Sequence, residues 1–365
     1  MGDASAIPAS LPEITAEWLS TEFGASGHDV TVSNVDYAAM GGIVGAVGHV
    51  GILTLDYDGP TTLPRQMVGK CPLDDDVARL INDIMGMYPR ESGFFAHLVD
   101  DVPMRIPTCY VNTNDSEAGR FLQLFEYIEG RDGDILAGAP FDAMLKLITD
   151  LGTMHGQFWE APVLDRHDWL YNWRRESLLA GIPVMTEGWS KLRAQQPDAM
   201  PDELWAVIDE TYVQNTKDFL ELFAQRPATF VHGDYELDNM IFTDDDIAVL
   251  DWQTTMRSFP GFDVGWFLAC SADDASIARE AELIEAYRTA LEAAGGPRWS
   301  TEELLDDCAI GMLYHVSGAG YTNTQDMSGY GGHAPRMEAR FARMLSGVVD
   351  ASVRWDVAAR LRRLL

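Results

Sequence analysis

The chain has 365 residues, of which 47% are hydrophobic and 23% are charged. This composition allows a substantial apolar core and argues against intrinsic disorder. The net charge of −31 argues against nucleic acid binding, which needs a basic surface, and fits either a well-solvated surface or attraction of a cationic substrate. No apolar run reaches the length of about eighteen residues that a membrane span needs. We therefore expect a cytoplasmic protein with neither nucleic acid nor membrane as a partner.

The first third of the chain predicts mostly strands. Runs rich in β-formers and separated by turn residues occupy residues 30–37, 49–57, 65–71, 106–112 and 121–127. Two helices are predicted between the third and fourth of these strands, at 76–87 and 90–99. The pattern indicates a small β-rich lobe that ends near residue 125.

After Gly130 the pattern becomes helical. Apolar residues recur at three-to-four spacing from Phe141 to Phe158, which predicts one long helix. Further helices are predicted at 203–224, 275–294, 301–317 and 335–349, and short strands at 229–251. We expect an α+β protein of two lobes, with a β-rich lobe at 1–125, a hinge at 126–130 and a larger, mainly helical lobe at 131–365.

The segment 230–253 contains the most informative polar residues. If Asp244–Asp246 closes a hairpin, Asn239 faces Asp251, and directly opposed β-carbons lie about 5 Å apart. An amide oxygen and a carboxylate are hard ligands that suit magnesium. Asp234 precedes the hairpin on a loop, from which it could act as a base. An ordinary hairpin with an acidic turn is the alternative.

The pattern H-G-D-x-x-x-x-N, followed by a hydrophobic strand and D-W, resembles the aminoglycoside phosphotransferase and choline kinase-like superfamily. The resemblance implies a protein-kinase-like fold and a kinase that uses ATP and Mg²⁺. It implies that Asp234 accepts the proton of the attacking hydroxyl, while Asn239 and Asp251 hold magnesium. His232 is implied to be structural, and Asp263 to brace the catalytic loop.

The same resemblance implies an ATP-binding site in the first lobe. Lys70, at the end of the third predicted strand, would contact the α- and β-phosphates, and Glu91 on a helix would pair with it. A glycine-rich loop over the phosphates is implied at Gly41, Gly42 and Gly45. The hinge that binds adenine through its backbone is implied at Glu126, Tyr127 and Ile128.

The acceptor is predicted to be a small hydroxylated molecule. Protein kinases carry a long peptide-presenting segment that ends in A-P-E, whereas here eleven residues separate Asp251 from Asp263 and no A-P-E follows. Superfamily members phosphorylate antibiotics, choline-type alcohols, sugars, sterols and hydroxyacyl thioesters, and the chain most resembles the general alcohol-kinase or hydroxyacyl-CoA kinase branches. The alternative is an inactive pseudokinase that binds nucleotide or a partner, although Lys70, Asp234, Asn239 and Asp251 are all present.

We expect the acceptor to bind in the helical lobe. The segment 318–333 is rich in glycine and includes Tyr321 and Tyr330, which suggests a loop that closely approaches an organic ligand. Trp169 and Trp173, in an inserted segment, could line the same site, and packing in the apolar core is the alternative for each of them. A flexible surface connector is the alternative for this segment.

Overall fold

The computed structural model describes residues 6–40, 48–115, 118–174, 176–327 and 332–364. The strands are β1 (Thr31–Ala39), β2 (Gly48–Asp58), β3 (Gln66–Pro72), β4 (Cys109–Asp115), β5 (Arg120–Glu126), β6 (Arg131–Asp132), β7 (Thr229–Val231), β8 (Met240–Phe242), β9 (Ile247–Val249) and β10 (Met256–Ser258). The helices are α1 (Ala16–Ala25), α2 (Asp76–Met85), α3 (Met87–His97), α4 (Phe141–Gln157), α5 (Glu176–Gln195), α6 (Asp202–Ile208), α7 (Gln214–Gln225), α8 (Pro260–Cys270), α9 (Asp274–Ile277), α10 (Glu280–Ala293), α11 (Thr301–Thr322), α12 (Ala334–Arg354) and α13 (Val357–Leu364). The glycine-rich loop proposed at Gly41, Gly42 and Gly45 lies outside the described residues, as does Tyr330.

The chain divides into two compact units. The first comprises Met1–Asp101, Arg105–Arg131 and Thr243–Gln253, and the second comprises Val102–Met104, Asp132–Phe242 and Thr254–Leu365. The first unit thus includes the segment Thr243–Gln253, which the expected lobe boundary assigns to the helical lobe. The α+β class with an antiparallel sheet and a separate helical part is confirmed.

The first unit contains a five-stranded antiparallel sheet in the order β1-β2-β3-β5-β4. Side chains alternate between the two faces of a strand, so each strand can serve two layers. One layer is an apolar core that joins α1 to the sheet and includes Trp18, Phe23, Met67 and Leu124. The other involves α2 and α3, where Tyr88 packs on Phe121 with ring centroids 4.4 Å apart.

The second unit is mainly helical, and α8 runs through its core. All eleven residues of α8 are buried. Helix α11 starts with a capping box, in which the Ser300 hydroxyl accepts from the backbone N–H of Glu303 and the Glu303 carboxylate accepts from that of Ser300. The predicted long helix at 141–158 is confirmed as α4. Within the described ranges, none of the helices combines the length and apolarity that a bilayer crossing needs.

The prediction of a loop starting at Gly318 is wrong, because α11 continues to Thr322. Gly320 is buried, and a β-carbon there would lie 2.8 Å from a methyl carbon of Leu192 on α5. The glycine therefore serves close helix packing. Tyr321 belongs to the last turn of the same helix, and its ring lies against Gly188 of α5.

Trp173 is a core residue, which is the alternative to a place in the acceptor site. Its side chain is 3% exposed, and its indole donates to the Ser258 hydroxyl at 2.8 Å. Its ring packs edge-on against the aromatic rings of Phe223, Phe262 and Tyr314. This packing is that of a core residue.

The crossing of α8 and α11 gives a stability prediction. A β-carbon at Gly261 of α8 would lie 2.3 Å from the backbone carbonyl carbon of Asp307, whereas one at Gly318 would meet nothing within 4 Å. Gly261→Ala should lower the free energy of unfolding by about 1–3 kcal/mol, the usual cost of overpacking. Gly318→Ala, the control on α11, should leave it unchanged or raise it by up to about 1 kcal/mol. Urea unfolding of both variants measures the difference, and equal stabilities would contradict the close crossing.

Candidate active site

Lys70 and Glu91 form a buried ion pair in the first unit. Met67 and Cys71 of β3 lie in the apolar core, so the alternation of the strand directs Lys70 to the opposite face, where α3 packs. The Lys70 Nζ atom lies 2.9 Å from Oε1 and 2.8 Å from Oε2 of Glu91. Lys70 is 8% exposed and Glu91 is 3% exposed. The structure thus brings the two residues together, as the sequence resemblance implies.

Asp251 is the second carboxylate on Lys70. Its Oδ1 atom lies 2.7 Å from Lys70 Nζ, and its Oδ2 accepts from Nε2 of Gln253 at 3.1 Å. Burial opposes the charge of Lys70, but the attraction of Asp251 and then of Glu91 outweighs it and raises the pKa of Lys70. The ammonium is therefore fully charged at neutral pH.

The chain around Asp251 has an unusual backbone and a rigid support. Asp251 has a φ of 60°, in the left-handed region that non-glycine residues rarely adopt. The next residue, Trp252, stacks on Phe94 of α3 with centroids 4.2 Å apart and ring planes 8° apart. Strained residues at over-determined positions are typical of functional sites. The stack and the Lys70 ion pair together hold Asp251 in this conformation.

The predicted hinge residues lie at the end of β5 and just beyond it. The backbone N–H of Glu126 donates to the Thr108 carbonyl at 2.8 Å, and its carboxylate accepts from the backbone N–H of Thr108 at 3.1 Å and from Arg105. Tyr127 and Ile128 lie beyond the strand in a segment without regular secondary structure, and Tyr127 is 41% exposed. The backbone groups of Tyr127 and Ile128 therefore lie outside the hydrogen-bond ladder of β5. A site that binds a ligand through the backbone needs such groups.

In the second unit, Asp263 of α8 holds the loop that follows β7. Its carboxylate oxygens accept from the backbone N–H of His232 at 2.7 Å and of Gly233 at 2.9 Å. Burial favours its neutral form, but the nearby His155, whose Nε2 lies 3.5 Å from Oδ2, and the bond from the Gly233 backbone hold the pKa of Asp263 below its usual value. A β-carbon at Gly233 would lie 2.3 Å from the Thr254 carbonyl oxygen, and its φ is 87°. Only glycine fits at this turn.

Asp234 follows Gly233 in the chain, and both oxygens of its carboxylate accept hydrogen bonds. Oδ1 accepts from the indole N–H of Trp266 at 3.1 Å, and Oδ2 accepts from Nδ2 of Asn239 at 3.1 Å. The same Asn239 amide donates to the Asp234 backbone carbonyl at 2.9 Å. The loop is thus closed on itself, and the Oδ1 atom of Asn239 remains available as an acceptor.

The expectation that Asn239 and Asp251 oppose each other as paired strand residues is wrong. Asn239 ends the 3-10 turn Leu237–Asn239, and β8 begins one residue later. Strand β9 ends at Val249, two residues before Asp251. Side-chain bonds fix the two residues instead: to Asp234 in one case and to Lys70 in the other.

Arg340 of α12 forms ion pairs with the loop that carries Asp234, and these pairs were not predicted from the sequence. Arg340 donates to Glu236 Oε1 at 2.6 Å and to Asp238 Oδ2 at 2.8 Å. Asp238 also accepts from the backbone N–H of Ile135 at 3.0 Å. Burial raises the pKa of Glu236 to about 7, although Arg340 opposes the shift. Glu236 and Asp238 lie inside the motif and were the available signal. Their partner Arg340, however, lies 104 and 102 residues away from them in the sequence.

Asp251 and Asn239 each have the chemistry of a magnesium ligand. Within the part of the chain that the structure describes, no group of three or more His, Cys, Asp or Glu side chains could hold a metal ion. Magnesium does not need such a group, since it takes one or two protein oxygens and keeps water or phosphate oxygens for the rest. The carboxylate of Asp251 and the amide oxygen of Asn239 are donors of the required kind.

The chain is similar to known phosphotransferases. A phosphotransferase enzyme family model, that of the APH family, matches residues 86–302, more than half of the chain. The structure of choline kinase from Cryptosporidium parvum is similar, with 12% identity, a TM-score of 0.53 and coverage of 89% of this chain and 92% of that chain. The GDP complex of aminoglycoside 2′-phosphotransferase-IIIa is also similar, with 12% identity, a TM-score of 0.50 and coverage of 93% and 99%.

These two likenesses show the fold, and a search of curated protein sequences gave no match. The extent of the family match settles the wider relationship. The chain belongs to the phosphotransferase enzyme family, and its fold is the protein-kinase-like fold of the aminoglycoside phosphotransferase and choline kinase superfamily.

Proposed function

We propose that this protein transfers the γ-phosphate of ATP, in the presence of magnesium, to a hydroxyl group of a small organic molecule. The observation that carries the proposal is the buried ammonium of Lys70 between the carboxylates of Glu91 and Asp251. Burying charges costs several kcal/mol per ion, so an ion cluster of this kind is weak evidence for stability and is better explained by a function. A fixed cation suits the phosphates of a nucleotide.

Lys70 is suited to bind the nucleotide phosphates. Its charge is maintained by both neighbouring carboxylates, and Glu91 holds the ammonium group in place through both of its oxygens. The three donors of the ammonium face three carboxylate oxygens here, two of Glu91 and one of Asp251, so a phosphate oxygen would replace one of these three. Phosphoryl transfer depends mostly on such positioning and charge neutralisation. Glu126, Tyr127 and Ile128 are proposed to bind the adenine through their backbone groups.

Asp251 and Asn239 are the proposed magnesium ligands. The Asp251 side chain is 30% exposed, in contrast to the 4% of Glu91, so it can reach a solvated ion. Asn239 has its amide nitrogen bound to Asp234, which fixes the side chain and leaves its oxygen for a metal. When bound, magnesium would neutralise the charge of the β- and γ-phosphates.

Asp234 is the proposed base. As the acceptor oxygen bonds to the γ-phosphorus, the acceptor hydroxyl gives its proton to the Asp234 carboxylate. The bond from the γ-phosphorus to the bridging oxygen breaks, and ADP leaves with that electron pair. Asp234 is suited to this step because Asp263 fixes the loop that carries it, and because the indole of Trp266 and the amide of Asn239 orient its carboxylate.

A small acceptor is favoured by the structure of the segment after Asp251. Within nineteen residues of Asp251, the chain forms β10, which pairs with β7, and then all of the buried helix α8. Such a segment has no room for a long peptide-presenting loop. The similar structure from Cryptosporidium parvum is that of a choline kinase, and this name describes that protein. For this chain we propose only that the acceptor is a hydroxylated small molecule.

Lys70→Met should raise the Michaelis constant for ATP and lower turnover. The ammonium would contact phosphates in both the ground state and the transition state. Loss of one hydrogen bond to a charged group predicts roughly a 10- to 100-fold fall in kcat/KM for ATP. Lys146→Met is the control, since Lys146 is half-exposed and pairs with Asp150 on the same helix. Steady-state kinetics of both variants tests the assignment, and an unchanged ATP constant in Lys70→Met would refute it.

Asp234→Asn should bind ATP normally and lose turnover of the acceptor. An amide cannot take the hydroxyl proton, and general-base catalysis contributes roughly 10²–10⁴-fold. Calorimetric titration with ATP and steady-state kinetics measure the two effects separately. Asp306→Asn is the control, because Asp306 pairs with Arg360 away from the loop. Loss of ATP affinity together with turnover would show that Asp234 does not have the proposed role.

A further inference from the structure

Trp266 makes a contact that the family motif does not include. Its indole N–H donates to Oδ1 of Asp234 at 3.1 Å, on the carboxylate oxygen opposite the one that Asn239 contacts. A carboxylate held by one donor can still rotate about its own bonds. Donors on both oxygens define the plane of the group. The orientation of the Asp234 carboxylate therefore depends on Trp266 as much as on Asn239.

Trp266 projects from the same helix that holds the backbone of the loop. It follows Asp263 by three residues on α8, and residues three apart share one face of a helix. Asp263 binds the backbone N–H groups of His232 and Gly233, while Trp266 binds the side chain of Asp234. One face of α8 thus fixes both the path of the loop and the direction of its carboxylate.

The Trp266 ring is itself held in place. It is 5% exposed and stacks on the imidazole of His315 of α11, with centroids 4.9 Å apart and ring planes 24° apart. His315 Nε2 lies 2.8 Å from the Phe262 carbonyl oxygen, one turn before Trp266 on α8. Burial lowers the pKa of His315 to about 4, so its ring is neutral at neutral pH and donates Nε2–H to that carbonyl. The indole N–H is thereby aimed at Asp234 by a rigid stack.

From this arrangement we propose that Trp266 is a positioning residue for the base, which acts by holding the Asp234 carboxylate in the orientation that accepts the acceptor's proton. The inference rests on the proposed function of Asp234. In this proposal Trp266 acts through Asp234. Its loss should therefore affect turnover and leave nucleotide binding unchanged.

Trp266→Phe tests the proposal, because it keeps an aromatic ring against His315 and removes the N–H. We expect kcat to fall by roughly ten-fold, the effect of losing one hydrogen bond to a charged group, with the Michaelis constant for ATP unchanged. Trp355→Phe is the matched control. Trp355 is 3% exposed, and its indole donates to a carboxylate oxygen of Glu280 at 2.9 Å, in the same unit but on another element. The control should keep its turnover.

A double-mutant cycle distinguishes positioning from packing. If Trp266 acts through Asp234, Trp266→Phe should have no further effect on the residual turnover of Asp234→Asn. An equal fold-loss in both backgrounds, or turnover in Trp266→Phe equal to that of Trp355→Phe, would overturn the proposal. Full turnover in Asp234→Asn would instead contradict the proposed function itself, so the two failures are separable.

A second variant covers the case in which Trp266→Phe does not fold. Replacing Trp266 with 3-benzothienylalanine keeps the bicyclic shape and substitutes sulfur for the N–H. The same roughly ten-fold loss of kcat is expected for this variant, with unfolding behaviour equal to that of the wild type. Wild-type turnover in this variant would show that the ring shape, and not the hydrogen bond, is what matters.

Discussion

The buried ammonium of Lys70 is the interaction on which the first unit of this protein depends. Three parts of the chain that are distant in sequence meet at this one atom: β3, α3 and the segment Thr243–Gln253. If one of these three parts moved away, a buried charge would lose its partner. Removing one partner of a buried ion pair is strongly destabilising. The cluster therefore fixes Asp251 relative to the sheet, even with its backbone in a left-handed conformation.

In the second unit, hydrogen bonds hold the loop that carries Asp234. The loop from His232 to Asn239 contains several polar and charged groups, and most of its partners come from two helices. Helix α8 supplies Asp263 to the backbone and Trp266 to the carboxylate of Asp234. Helix α12 supplies Arg340, which neutralises the carboxylates at the far end of the loop. Contacts from two helices can hold a reactive carboxylate in one orientation. Tight packing of the whole region is not needed for this.

Local patterns in the sequence were enough to predict the fold class, most strands and the residues that carry the motif. The lysine and its glutamate could be matched because they lie on regular elements at a recognisable spacing, and their pairing follows from strand alternation and helix packing. Trp266 and Arg340 could not be predicted in this way, because their contacts join residues 32 and 104 positions apart. Helix α8 was missed as well, since it is apolar on all sides and has no helical periodicity to detect.

The errors have physical causes of the same kind. Gly318 and Gly320 suggested a loop, because glycine weakens helices, yet close packing of α11 on α5 requires a small residue at Gly320. Asn239 was expected in a strand, because the motif leads into a hydrophobic run, but its bonds to Asp234 close a 3-10 turn first. At Gly320 a tertiary contact overrode the local preference, and at Asn239 a side-chain bond to a residue five positions earlier did so.

The most direct test of the account is to follow the γ-phosphate. The protein is incubated with magnesium and ATP across a panel of hydroxylated acceptors, including choline-type alcohols, sugars, sterols, antibiotics and hydroxyacyl thioesters, and ADP and the acceptor are quantified by mass spectrometry. The account predicts that at least one acceptor gains one phosphoryl group for each ADP released, and that omission of magnesium abolishes the transfer. ATP that is neither bound nor consumed with any acceptor, or ADP released without a phosphorylated acceptor, would contradict it.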